Sequence, residues 1–174
     1  MYKGKTFIIS GPSGAGKGTE IKQVLQQKNN VALSVSCTTR APRPGERDGV
    51  DYYYISKEKF VQLIEEDGFL EHESFFDNYY GTPEEPVRRQ LAQGISVILE
   101  IDVKGGMNIK KKVPEAEMIF IAPPSMEVLR SRLVGRKTET PEQIEKRTKR
   151  AFEEMQYQGQ YDHVVVNDDL QQAV

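Results

Sequence analysis

The stretch Thr6-Phe7-Ile8-Ile9-Ser10-Gly11-Pro12-Ser13-Gly14-Ala15-Gly16-Lys17-Gly18-Thr19 decides the architecture of this chain. Its apolar start, TFIIS, reads as a buried strand, the segment after it as a glycine-rich turn, and residues from about Lys17 to Gln27 as a helix. Strand, G-x-x-x-x-G-K and helix in that order make a phosphate-binding loop. Glycines let successive backbone N–H groups converge on phosphate oxygens with no Cβ in the way. The helix turns its positive N-terminal end toward the anion, and Lys17 reaches between the β- and γ-phosphates. Ser13, Gly14, Ala15, Gly16, Lys17, Gly18 and Thr19 are therefore expected to hold the phosphates of a nucleoside triphosphate. A Ser or Thr usually follows the lysine. Gly18 stands there instead, and Thr19 is the nearest hydroxyl for a magnesium ion.

Outward from the loop, short apolar runs alternate with helical patterns. Ile95–Ile101 reads as a strand followed by a helix from about Lys104 to Lys112, and Met118–Ala122 as a strand stopped by Pro123-Pro124. Helices are expected from Met126 to Val134 and from Glu142 to Gln158, the second capped by Thr140 with Pro141 at its first position. His163–Val166 closes as a strand. This alternation predicts an α/β fold, a three-layer core around a mainly parallel sheet. Two regions break it: residues 34–86, rich in Arg, Tyr, Gly and Pro, and the charged helices of 127–157. The expected division is a core of residues 1–33, 87–126 and 158–174, an inserted subdomain over 34–86, and a helical lid over 127–157.

Composition narrows the setting. The chain has 174 residues, 24 Lys and Arg against 26 Asp and Glu, and a net charge of -2. The length suits one hydrophobic core. The near-neutral balance speaks against a general nucleic-acid binder. The single cysteine, Cys37, can form no internal bridge, which fits a reducing compartment. No signal peptide or membrane-spanning segment is legible, so a cytoplasmic protein is expected, with neither nucleic acid nor membrane as partner. His72 and His163 lie far apart, with no cysteine cluster, and are assigned no metal.

The second informative stretch runs from Ser36 to Tyr54, SCTTRAPRPGERDGVDYYY. Arg40 and Arg43 lie on a proline-stiffened loop suited to bidentate phosphate binding, and Tyr52 adds a hydroxyl. These residues alone read equally well as a basic surface loop. The whole pattern T-T-R-x-x-R-x-x-E-x-x-G-x-x-Y-x-Y, from Thr38 to Tyr54, resembles the signature of the guanylate kinase family. The resemblance extends through GPSGAGKGT, Gly68–Glu71, Asn78–Thr82, Leu99–Asp102, Ile121–Ser125, Gly135-Arg136 and Val166–Leu170. It covers nearly all of residues 5–170.

The resemblance implies transfer of a phosphoryl group from ATP to GMP or dGMP, with Mg²⁺ carried on the ATP phosphates and Thr19 its one possible protein ligand. It places the acceptor phosphate on Arg40, Arg43, Tyr52 and Tyr80, and guanine on Ser36, Glu71, Thr82 and Asp102. It assigns Arg132, Arg136 and Arg147 to the lid, Asn167 and Asp168 to the adenine side, and the chemistry to Lys17, Arg43, Arg136 and Arg147. For Glu71 there is a physical reason: guanine presents N1–H and N2–H₂ as adjacent donors, and a carboxylate only accepts. No general base is needed, because the acceptor phosphate is largely a dianion at pH 7. Glu100 and Asp102, at a strand end, are placed to assist the magnesium ion through its waters. Arg130, Lys146, Lys149 and Arg150 read as solvated helix face, and Phe75 and Phe76 as core. Lys104 and Lys137 depart from the family's glutamine and glycine. Two other readings stand beside this one: a non-catalytic scaffold module of the same fold, and a kinase for a different acceptor. Monomer and homodimer are equally open.

Overall fold

A computed structural model of the chain describes residues 3–135 and 139–174. The elements begin with β1 (Thr6–Ser10), α1 (Lys17–Gln27), β2 (Val31–Leu33), β3 (Cys37–Thr38), β4 (Tyr53–Tyr54) and α2 (Lys57–Glu65). They continue with β5 (Phe69–Phe75), β6 (Asn78–Pro83), α3 (Glu84–Ala92), β7 (Ser96–Glu100), α4 (Val103–Lys112) and β8 (Glu117–Ala122). After α5 (Met126–Gly135), α6 (Pro141–Met155) and a 3₁₀ turn (Gln158–Gln160), the chain closes with β9 (His163–Val166) and α7 (Leu170–Ala173).

Five strands form the central sheet in the order β2-β7-β1-β8-β9, and every pairing is parallel. The alternation of side chains along each strand explains why both faces are covered. Ile8, Leu99 and Phe120 point to one face, against Val87 of α3 and Val103 and Ile109 of α4. Their chain neighbours Ile9, Ile98 and Ile121 point to the other, against Ala15 and Ile21 at the loop–α1 junction. The strand β2 was not legible in the sequence, since three residues carry too little pattern.

The segment read as irregular holds a second sheet, β4-β3-β6-β5, in which β6 pairs antiparallel with both β3 and β5. It has its own small core of Cys37, Phe60 and Phe69. The Phe60 ring lies 4.4 Å from that of Phe69 and 5.2 Å from that of Tyr79. A Cβ on Gly81 would come within 2.8 Å of the Phe69 ring, so only glycine lets β6 cross here. Burial pushes the Cys37 thiol up to about 11, which leaves it inert. Leu70 of β5 packs into the main core instead, and the Lys112 ammonium of α4 donates to Asp67 and to the Phe69 carbonyl, at 2.9 and 2.8 Å. The second sheet is thus anchored to the first at the start of β5.

Helices α5 and α6 pack through Leu129, Leu133 and Ala151. Thr140 caps α6 as expected: its side chain accepts from the Gln143 N–H while the Gln143 side chain accepts from the Thr140 N–H. This helix stops at Met155, earlier than its charge pattern predicts, and the chain passes into the 3₁₀ turn. Arg136 and Lys137 lie outside the described residues.

Candidate active site

In a parallel sheet, ligands gather at the carboxyl ends of the strands. Here β1 runs into the glycine loop, β7 ends at Glu100 just before Asp102, and β9 ends just before Asn167. A cavity of about 470 Å³ opens there, lined by the loop from Gly11 to Thr19 and by Glu100, Asp102, Arg147, Arg150 and Glu154. Gly16 sits at the N-cap of α1 with φ +89° and no side chain capping the helix. The first N–H groups of α1 therefore remain available to an anion. Glycine is required at this point for a second reason: a Cβ would lie 2.3 Å from Asn167 Nδ2.

Two residues brace the loop from behind. The Asn167 side-chain amide donates to the Ala15 carbonyl at 2.8 Å. The Arg132 guanidinium donates to the Asn167 carbonyl at 2.9 Å and to the Gly14 carbonyl at 3.4 Å. Asp168 is exposed beside them. Burial lowers the pKa of Lys17, opposed by the carboxylates of Glu100, Glu154 and Asp102. Glu100 Oε1 lies 3.9 Å from where a Cβ on Gly18 would stand, so that carboxylate faces the position normally occupied by a hydroxyl residue. Asp102 caps α4 by accepting from the Gly105 N–H at 2.7 Å.

The second sheet carries the arginine–tyrosine loop. Arg40 donates to both oxygens of Glu46, at 2.9 and 3.1 Å, and its guanidinium lies 5.4 Å from the centre of the Tyr52 ring. Tyr52 in turn meets Tyr80 edge to face at 6.0 Å. Glu46 also accepts from the Arg43 N–H at 2.7 Å, and the hydrogen bonds from Arg40 and Arg43 pull it down to about 2. Glu46 therefore fixes the backbone of one arginine and the side chain of the other. Sequence reasoning gave it no role, although it stands at the acidic position of the signature. The Arg43 residue itself is exposed. On the same sheet Thr82 Oγ1 donates to Glu71 Oε1 at 3.1 Å, the two residues being register partners across β5 and β6. Burial pushes Glu71 up to about 7, against the Thr82 hydrogen bond and with help from Glu73 and Asp102. Ser36, half-buried, accepts from the Tyr53 N–H through its carbonyl at 2.8 Å.

A sequence model of the guanylate kinase family matches residues 3–174. A guanylate kinase of Caldanaerobacter subterraneus subsp. tengcongensis is 51% identical over 172 residues, covering 99% of this chain and 84% of that one. One from Clostridioides difficile is 48% identical over 170 residues, with 98% and 83% covered. The crystal structure of guanylate kinase from Anaplasma phagocytophilum superposes with a TM-score of 0.75 at 33% identity, covering 99% of this chain and 81% of that one. The chain belongs to the guanylate kinase family.

In this guanylate kinase family member one expectation on α6 is extended and one at the β5–β6 turn is overturned. Arg150 is exposed, as expected of the helix face, and it also lines the cavity, 3.8 Å from Asp102 and 3.4 Å from Glu154. An (i, i+3) spacing from Arg147 puts both arginines on one helix face, a signal that charge counting overlooked. Arg147 is held by Glu139 at 2.6 Å. Phe75 and Phe76 are not core residues. They stand exposed at the β5–β6 turn, where Phe76 and Asp77 take the left-handed φ values of a two-residue hairpin loop at the end of the sheet.

Proposed function

We propose that this chain transfers the γ-phosphoryl group of ATP to GMP or dGMP, giving ADP and GDP or dGDP. The observation that carries this reading is a phosphate cradle at the end of one sheet and, on the other, an arginine loop and the Glu71–Thr82 pair, with Asp102 of the cradle cavity close enough to raise the pKa of Glu71. In this reading the loop from Ser13 to Thr19 binds the ATP phosphates, and Arg132, Asn167 and Asp168 flank its adenine side. Arg40, Arg43, Tyr52 and Tyr80 hold the acceptor phosphate. Glu71 accepts from guanine N1–H and N2–H₂, with Ser36, Thr82 and Asp102 around the ring. Adenine would bring a lone pair to Glu71, and a site built this way rejects such an analogue by about 10⁴–10⁵.

An acceptor phosphate oxygen attacks the γ-phosphorus as the bond to the β–γ bridging oxygen breaks. The arriving group is already a dianion, so the chain supplies alignment, charge and water exclusion. Lys17, Arg43 and Arg147 neutralise the moving charge; Arg136 belongs with them by its place in the family pattern. The carboxylates of Glu100 and Asp102 suit a water-rich magnesium ion, and the open position at Gly18 leaves room for its waters, with Thr19 the nearest hydroxyl. That ion would shield the phosphate charge. The domain reading follows: residues 1–33, 87–126 and 158–174 hold ATP, 34–86 hold GMP, and 127–157 close over both. A cytoplasmic setting fits these substrates and an unbridged thiol. Among the described residues no helix is long and apolar enough to cross a membrane.

The test is ADP release coupled to GMP, dGMP, AMP, CMP and UMP in turn. Turnover with GMP and dGMP alone is expected. Equal rates with AMP would refute the guanine assignment, and no turnover with any acceptor would support the scaffold reading.

A further inference from the structure

The β5–β6 tip has no part in the reaction as described, yet it holds two phenylalanines in water. Phe75 is 52% exposed and Phe76 83%. Their rings meet edge to face with centroids 4.4 Å apart, and the backbone presenting them is left-handed at Phe76 and Asp77, with φ of +47° and +62°. Residues with a Cβ adopt that conformation against a steric penalty. The hairpin uses positive φ at both positions of its two-residue loop, between the paired Phe75 and Asn78, but such a loop favours Asn, Asp or Gly over Phe, and Cys37, Phe60 and Phe69 pack without the Phe76 ring.

Across a cleft of about 490 Å³, the tip faces Lys146, Arg147 and Arg150 of α6. Two of these, Arg147 and Arg150, also line the cavity of the phosphate cradle. The same guanidinium groups therefore have aromatic rings on one side and the triphosphate site on the other. Each is held for now by carboxylates: Arg147 by Glu139 at 2.6 Å, Arg150 by Glu154 at 3.4 Å and Asp102 at 3.8 Å.

The geometry points to Phe76, backed by Phe75, as a positioning residue for phosphoryl transfer that stacks on the guanidinium groups of Arg147 and Arg150 when the acceptor-loaded sheet closes on α6. An aromatic face attracts a cation within about 6 Å of its centre, arginine more often than lysine, and the attraction grows as water leaves. The rings would compete with Glu139, Glu154 and Asp102 for the two arginines and hold them over the cradle. Their apolar surface would also exclude water from the transferring group. An aliphatic side chain could exclude water but could not orient a cation. A serine could do neither. Occupancy of the acceptor site would thereby set the position of the lid cations. This inference rests on the proposed reaction.

The experiment compares Phe76→Ser, Phe75→Ser, their double, Phe76→Leu and Phe76→Tyr in the full chain, measuring kcat, KM for GMP, and ADP formed without GDP. Both positions are exposed, so folding is expected to survive; thermal melts check it. Phe76→Ser should lower kcat about tenfold, with KM for GMP changed less than about twofold, and raise the share of ATP lost to water. Phe76→Tyr should restore kcat to within about twofold, and Phe76→Leu should restore the exclusion of water without the rate. Undiminished kcat in Phe76→Ser, beside a wild type that phosphorylates GMP normally, would overturn this inference alone. A wild type inactive on GMP would remove both readings. A kcat loss that disappears at high protein concentration, with sedimentation showing a dimer dissolved by the serine variants, would overturn it in favour of contact between copies of the chain.

Discussion

In the proposed reaction the donor cradle and the acceptor loop bind the same chemical group with different materials. The cradle uses backbone N–H groups from one short run, Gly11 to Thr19, and its accuracy comes from glycine conformations and from Asn167 and Arg132 bracing its carbonyls. The acceptor loop uses side chains, and its accuracy comes from Glu46 gripping Arg40 and the Arg43 backbone. A backbone site is hard to remove by mutation but has one irreplaceable charge. A side-chain site is a network in which the organiser matters as much as the ligands. Separate variants should therefore fail in separate ways.

The largest effect falls on the cradle's single cation. Lys17→Ala should lower kcat by about a thousandfold or more, because nothing else in the loop carries charge to the transferring group. GMP binding by calorimetry should stay within about twofold of wild type. Loss of GMP binding would mean that the two sites are not the separate structures described here.

The acceptor network should show a smaller loss of opposite distribution. Glu46→Ala frees Arg40 from its bidentate partner and the Arg43 N–H from its acceptor. Charge-assisted hydrogen bonds of this kind contribute about 1.5–3 kcal/mol each, so kcat/KM for GMP should fall roughly 10–100-fold. KM for ATP should not move. An equal loss for both substrates would show Glu46 to be a folding residue.

The same contrast explains what could be read without coordinates. The cradle was legible because its residues are contiguous and flanked by a strand and a helix of opposite period. The parallel core followed from runs such as ISVILE and MIFIA, whose neighbours Ile98 and Leu99 do point to opposite faces. The second sheet was not legible as a sheet. Its strands β3 and β4 have two residues each, too few to show alternation; they pair with each other across 16 positions, and β3 pairs with β6 across 42 to 44. Phe75 and Phe76 were misplaced because hydrophobicity alone predicts burial, whereas the left-handed turn at Phe76 and Asp77 overrides it. Arg150 keeps its exposed place, but a helix full of charges hides that its face also borders the cavity.

Glu71 tests the specificity half of the acceptor site. In the proposed pocket its carboxyl must be ionised to accept two hydrogen bonds from guanine, and in the free protein burial raises it to about 7. GMP affinity should accordingly weaken as pH falls from about 8 to 6. The phosphate's own second ionisation, near 6, adds a further loss below that. Glu71→Gln should weaken GMP by about 10–30-fold, roughly one to two hydrogen bonds, and abolish the part of the pH dependence centred near 7. A pH profile identical in wild type and variant would assign the whole titration to the ligand.

Glu20 supplies the smallest effect and completes the comparison, since it is a second carboxyl that desolvation raises to about 7, and unlike the half-buried Glu71 it is fully buried. It sits in the first turn of α1, only 4% exposed, with Oε1 making no hydrogen bond, and Arg132 offsets only part of the burial penalty. In the proposed reaction guanine repays the desolvation of Glu71, whereas Glu20 has only the loop's own brace. Its folded-state pKa lies above the unfolded value of 4.5, so the folded chain holds the proton more tightly. The stability linked to that proton is complete below about pH 4.5 and is lost as pH rises toward 7. Glu20→Gln removes the titration while keeping the shape. Urea denaturation should find the variant more stable than wild type by about 1–2 kcal/mol at pH 8, with the gap closing near pH 4.5. A gap independent of pH would mean that the Glu20 carboxylate is compensated inside the fold, and that the cradle's rigidity does not come at the cost of a buried charge.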